Sequence, residues 1–122
     1  MPAKTDRAAA PETAPTVFDC AHLLHYAMQD QALAQEVLGL FLVQLPAMLT
    51  ALEAAAGPED WHFATHTLKG SAGSIGALRL RKLAAELESM PFEAGDPVRL
   101  LRIQAVRAAA AEFRAAVRPA SG

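Results

Sequence analysis

Apolar residues recur along this chain at spacings of three and four, and no stretch alternates with a period of two. That period marks helices lying on a shared core rather than strands. Five segments carry it. Asp19 can cap a short first helix from Cys20 to about Gln29. Leu23, Leu24, Ala27 and Met28 would face inward, with His22, His25 and Tyr26 nearer solvent. Asp30 opens a second helix that runs to about Ala56. Its stripe is Leu33, Val37, Phe41, Leu45, Met48 and Leu52, widened by Leu38 and Leu40, so it is expected to be the most buried helix. Pro46 removes one backbone hydrogen bond and should bend it. The unbroken stripe favours one kinked helix over two, and Gly57 stops it.

A third helix starts at Pro58, with Glu59 and Asp60 facing the positive end of its dipole. Trp61, Ala64, Leu68, Ser71 or Ala72, and Ile75 form its apolar face, and it ends near Gly76. The fourth spans about Leu78 to Met90, with Leu80, Leu83, Ala84 and Leu87 inward and Arg79, Arg81, Lys82, Glu86 and Glu88 outward. Pro91 ends it, and Phe92 to Gly95 form a loop. Asp96-Pro97 then starts the fifth helix. Leu100, Ile103, Val106, Ala110, Phe113 and Val117 follow three-four spacing, Arg99, Arg102, Arg107 and Arg114 should be solvated, and Pro119 closes the helix. Four long amphipathic helices with short connections predict an all-α fold, an antiparallel up-down four-helix bundle, capped or flanked by the short N-terminal helix. Residues 1–16, rich in Ala, Pro and charge, read as a disordered tail. Residues 17–118 form the bundle, and 119–122 a C-terminal tail.

Composition narrows the function classes. A chain of 122 residues suits one domain, and 52% hydrophobic residues with only 6% aromatic imply a core of Leu, Val and Ala. A net charge of −2 gives no reason to expect nucleic acid. Cys20 is the only cysteine, which excludes an internal disulfide and fits a reducing compartment. No secretory leader is visible in residues 1–16. The uncharged run from Val37 to Leu52 is short for a membrane span and contains Gln44 and Pro46. It reads as a core helix, so a cytoplasmic monomer without membrane contact is expected.

The candidate chemistry lies on the polar face of the third helix: His62, His66, Lys69, Gly70 and Gly73. Residues three and four apart are surface neighbours, so Lys69 stands one turn from His66. Each glycine inside a helix costs roughly 1 kcal/mol relative to alanine. Two accounts fit Gly70 and Gly73: close packing of another helix, or room for a partner to reach His66. Sharing the histidine's face favours the second. The spacing Gly70-x-x-Gly73-x-x-Gly76 matches neither a Walker loop nor a dinucleotide fingerprint.

The run His66-Thr67-Leu68-Lys69-Gly70-Ser71-Ala72-Gly73-Ser74-Ile75-Gly76 resembles the signature of histidine-containing phosphotransfer (HPt) domains. Helix order and lengths extend the resemblance from about Val17 to Val117. It implies that His66 accepts a phosphoryl group, on Nε2 in the family, that Lys69 lies beside it, and that Gly70 keeps the docking face clear. Gly76 would mark the passage to the next helix. The implied partner is the receiver domain of a response regulator or a hybrid histidine kinase, in a bacterial two-component phosphorelay. Gly73, His62, Leu23 and Leu24 are further candidates for docking.

The chemistry fits the residue types. A neutral imidazole can attack a phosphoryl group held on a carboxylate and keep it as a phosphoramidate. The Lys69 charge would favour the neutral ring and then attract the phosphoryl oxygens. No nucleotide motif is present and no acidic cluster flanks His66 in sequence, so no cofactor of its own is expected, and Mg²⁺ is expected on the receiver. This makes the chain a phosphocarrier rather than an enzyme. Two other classes remain. One is a helical module that binds a receiver or kinase without carrying phosphate. The other is a metal-binding bundle, which the sequence disfavours. The His22/His25 pair lacks a third ligand, and Phe63 stands where the His-Glu-x-x-His pattern beginning at His62 needs its glutamate.

Overall fold

A computed structural model describes residues 16–93 and 95–117. Five helices are present among them: α1 Cys20–Tyr26, α2 Gln31–Ala54, α3 Pro58–Ile75, α4 Leu78–Glu88 and α5 Pro97–Val117. Helices α2 to α5 each pack on the next, and α5 returns to α2, which closes a four-helix bundle. Cross-helix pairs run in opposite senses along the chain. Gly73 meets Arg81 while His66 meets Glu88, and Leu42 meets Arg114 while Glu53 meets Arg107. The bundle is therefore antiparallel and up-down, with α1 lying across α2 and α3.

Local chemistry sets the helix ends. Asp19 accepts from His22 N–H and Asp30 from Leu33 N–H, each capping its helix. Helix α1 stops at Tyr26, earlier than the pattern suggests, because Met28 and Gln29 turn into the left-handed region. The Gln29 N–H bonds back to the Leu24 carbonyl. That turn leaves Met28 at 80% exposure rather than on the core. Gly76 ends α3 at φ 86°, and its carbonyl accepts from Asp19 N–H at 2.9 Å. A Cβ there would lie 2.5 Å from the Asp19 carbonyl oxygen, so the chain before α1 is laid against a surface only glycine provides.

The core centres on Phe113, Leu45, Leu52, Leu68, Leu80, Leu87, Ile103 and Val106. Phe18 and Phe41 each meet the Phe113 ring edge-on at 5.5 Å. Helix α2 is not the most buried, contrary to the pattern. Its buried line is Ala34, Leu38, Phe41, Leu45, Leu49 and Leu52, while Leu40 and Val43 face outward. It is long and apolar enough to cross a membrane by composition alone, yet a third of that window lies inside the bundle. The helix runs unbroken through Pro46. The carbonyl that Pro46 deprives of an N–H partner is that of Leu42, and the Arg114 guanidinium donates to it at 3.0 Å.

Helix α5 departs from expectation at its first turn. Leu100 is exposed and Arg99 is buried. The Arg99 guanidinium stacks against Trp61 and Phe92, 5.1 and 4.9 Å from the ring centres. Aromatic faces thus replace the solvent that a sequence pattern assigns to arginine. Its Nε and Nη1 have no hydrogen-bond partner among the described residues. Residues 1–15 of the expected 1–16 tail and the whole expected 119–122 tail lie outside the described residues, as does Arg118 at the expected end of the bundle. Thr16, assigned to the first tail, accepts from Arg79 N–H and so is tied to α4.

Candidate functional site

Helix α3 carries His66 at mid-length, where the backbone is fixed on both sides. Thr65, the residue before it, is fully buried and donates its hydroxyl to the Trp61 carbonyl at 2.9 Å. Trp61 in turn donates its indole N–H to the Leu87 carbonyl at 3.2 Å. That bond locks the end of α4 against the first turns of α3. Glu88, the next residue, is thereby set opposite His66.

The carboxylate of Glu88 is the hub of the site. Its Oε1 lies 2.6 Å from Lys69 Nζ, and its Oε2 lies 3.0 Å from His66 Nδ1 and 3.6 Å from His62 Nδ1. The two imidazoles stack at 5.5 Å with planes 17° apart. Exposure falls from 62% for the His66 side chain to 16% for that of Glu88. The hydrogen bond from Lys69 does most to hold the Glu88 carboxyl below its usual range; partial burial opposes it, and the His66 contact adds to the lowering. A carboxylate in the last turn of a helix faces the negative end of the dipole. Here the neighbouring ammonium and imidazoles offset that penalty. An ionised carboxylate only accepts, so the proton between Glu88 and His66 sits on Nδ1. When the ring is neutral, its lone pair is then on Nε2.

The other predicted positions separate. Among the described residues, Gly70 has nothing within 4 Å of where a Cβ would stand, so it leaves open surface beside His66. Gly73 does not. Its missing side chain is replaced by that of Arg81, whose Cδ would lie 2.9 Å from a Cβ. Internal packing, the first of the two accounts of the glycines, therefore fits Gly73, whereas the surface at Gly70 is open. Leu23 is 3% exposed and is part of the core, so it has no surface to offer a partner. Leu24 is half-buried on the far side of α1, facing Gln31, Gln35 and Val117. From α1 it is His22 and Tyr26 that reach the histidine face. Tyr26 joins Val37, Leu40 and Gln44 around a groove of about 560 Å³ that runs up to His66 and Gly70. His22 faces Lys69 and Arg81 across a second hollow beyond Gly70.

Sequence reading missed Glu88, which it placed on the solvated face of α4. A signal existed. In an antiparallel α3/α4 pair with a two-residue connection, the last turn of α4 must return to the level of His66. The family model described as Hpt domain matches residues 36–116, well over half of the chain. No curated protein and no solved structure matches it.

Proposed function

The chain belongs to the Hpt domain family, and from that membership we propose that it is a phosphorelay intermediate whose His66 takes a phosphoryl group from a receiver-domain aspartate and passes it to another receiver. Hpt domains are phosphocarrier modules that work with receiver domains and kinases in phosphorelay signalling. The observation that carries the assignment to His66 is the bond from its Nδ1 to the Glu88 carboxylate.

In the proposed step the Nε2 lone pair attacks the phosphorus of the aspartyl phosphate. The Nε2–P bond forms as the P–O bond to the aspartate breaks, and the electron pair leaves with the carboxylate. The ring acquires positive charge as this proceeds. Glu88 faces that charge through the Nδ1 proton and stabilises it without reorganising. Lys69 is within reach of the arriving phosphoryl oxygens from the same side and is held by Glu88 until then. The open surface at Gly70 admits the receiver, and the groove edged by Tyr26 and Leu40 offers it apolar contact. ATP is left to the kinase and Mg²⁺ to the receiver, and the carrier acts as a monomer in the cytoplasm.

The test is incubation with an Asp-phosphorylated receiver. A carrier gains phosphate that is labile in acid and stable in alkali, and the His66→Ala variant gains none. Binding of the receiver with no such phosphate gain would instead identify a non-phosphorylated docking module.

A further inference from the structure

We propose that His62, His66 and Glu88 form a binding site for a divalent transition-metal ion of the zinc class, and that the ion and the phosphoryl group exclude one another. The sequence supplies the two histidines at i and i+4 but not the glutamate that a local motif would need. The fold brings that carboxylate from α4. One ring nitrogen of each histidine and a Glu88 oxygen all lie within 4.8 Å of one another, and Nδ1 is the nitrogen that each ring turns to Glu88. Zinc bonds of roughly 2.0–2.1 Å in a tetrahedral arrangement place ligand atoms about 3.3 Å apart. The two Nδ1–Oε2 separations, 3.0 and 3.6 Å, bracket that value. The His62 side chain, 67% exposed, is free to turn and adjust the separation of the two imidazole nitrogens.

Two histidines, one carboxylate and a water make a donor set that zinc accepts in proteins. Both imidazoles must be neutral to bind, so the ion's affinity falls in acid. Lys69 is the cation facing the site. Its ammonium sits on Oε1 and leaves Oε2 to the metal, and its charge weakens binding without blocking the position.

Exclusion follows from the tautomer. A metal on Nδ1 of His66 takes the lone pair there and forces the ring proton onto Nε2. Nε2 then has no free pair with which to attack phosphorus. This part of the inference rests on the phosphocarrier reading, whereas the metal site itself does not.

The test uses the full chain with Zn²⁺ and with Co²⁺ as a spectroscopic probe. One ion per chain is expected, with the visible absorption of four-coordinate Co²⁺. His62→Ala and Glu88→Gln should each weaken binding roughly tenfold or more. A His22→Ala/His25→Ala double variant should bind as the parent does. No stoichiometric ion, or an ion lost only in that double variant, would overturn the site. For exclusion, phosphate gain from the receiver is compared with and without Zn²⁺. Zinc should suppress it in the parent and lose that effect in His62→Ala, measured as the ratio within each protein. Equal suppression in both would place the zinc effect on the receiver and defeat the exclusion. A chain that binds Co²⁺ but never gains phosphate would refute the carrier reading and the exclusion while leaving the metal site standing.

Discussion

Neutralising Glu88 probes the arrangement most directly. Glu88→Gln keeps the shape and can still accept from His66 Nδ1–H, but it removes the charge that faces the ring. Two unit charges 3.0 Å apart interact by roughly 1.4 kcal/mol at the dielectric of water and roughly 5.5 kcal/mol at an effective value near 20. If about half a unit charge develops on the ring in the transition state, the carboxylate contributes about 0.7–2.8 kcal/mol, a rate factor of roughly 3 to 100. The exposed ring favours the lower half in the free domain, and a docked receiver that excludes water favours the upper. The assay is single-turnover transfer from a phosphorylated receiver at saturating concentration, with receiver affinity measured separately. Transfer should slow within that range while affinity changes little. Glu88→Ala, which also frees the ring to take the other tautomer, should be slower still. Wild-type transfer rates in both variants would refute the role given to Glu88. The same pair carries a pH signature in stability. The folded carboxyl is held below the ordinary glutamate value that it regains on unfolding, chiefly by the hydrogen bond from Lys69. Its stabilising contribution is therefore complete above that value and disappears as pH falls through the lower folded one. Parent and Glu88→Gln should differ in melting temperature at pH 7 and converge in acid.

The remaining predictions concern neighbouring positions. Gly70→Gln should leave helicity intact, raise stability by up to about 1 kcal/mol through helix propensity, and block transfer by filling the bare face. Transfer at the parent rate would remove Gly70 from the docking surface. Lys69→Ala should slow transfer while sparing receiver binding, and an unchanged rate constant in the same single-turnover assay would exclude it from the step. Gly76→Ala should lower stability to chemical denaturation by more than the roughly 1–2 kcal/mol of a left-handed residue, because the added methyl also meets the Asp19 carbonyl. Pro46→Ala should stabilise by up to about 3 kcal/mol. A double-mutant cycle should find Arg114→Ala destabilising by about 1 kcal/mol in the parent and neutral beside Pro46→Ala, since the alanine N–H then takes the Leu42 carbonyl.

Much was legible in the chain because its determinants are local. Helix periods, the caps Asp19, Asp30 and Asp96, and the stop at Gly76 all act within a few residues; the second helix, by contrast, ends at Ala54, before Gly57, which instead precedes the third. The short connections left the long helices little choice but to run antiparallel. The spacing of His66, Lys69 and Gly70 could be read for the same reason: three residues on one rigid face keep their relation whatever the helix packs against.

What packs against that face was decided only in three dimensions. Glu88 reaches His66 because the Trp61 indole and the Leu87 carbonyl fix the register between two helices, and no pattern within α4 encodes that register. Gly70 and Gly73 look alike in sequence, and they differ because Arg81 crosses one and no described residue crosses the other. Arg99 leaves solvent for two aromatic faces contributed by other segments, and Leu23 is drawn into the core as α1 lies across the bundle. A sequence period assigns each side chain to the inside or outside of its own helix. Charge partners, open surface and the free nitrogen of a ring depend on neighbours distant along the chain, and these only the folded packing supplies.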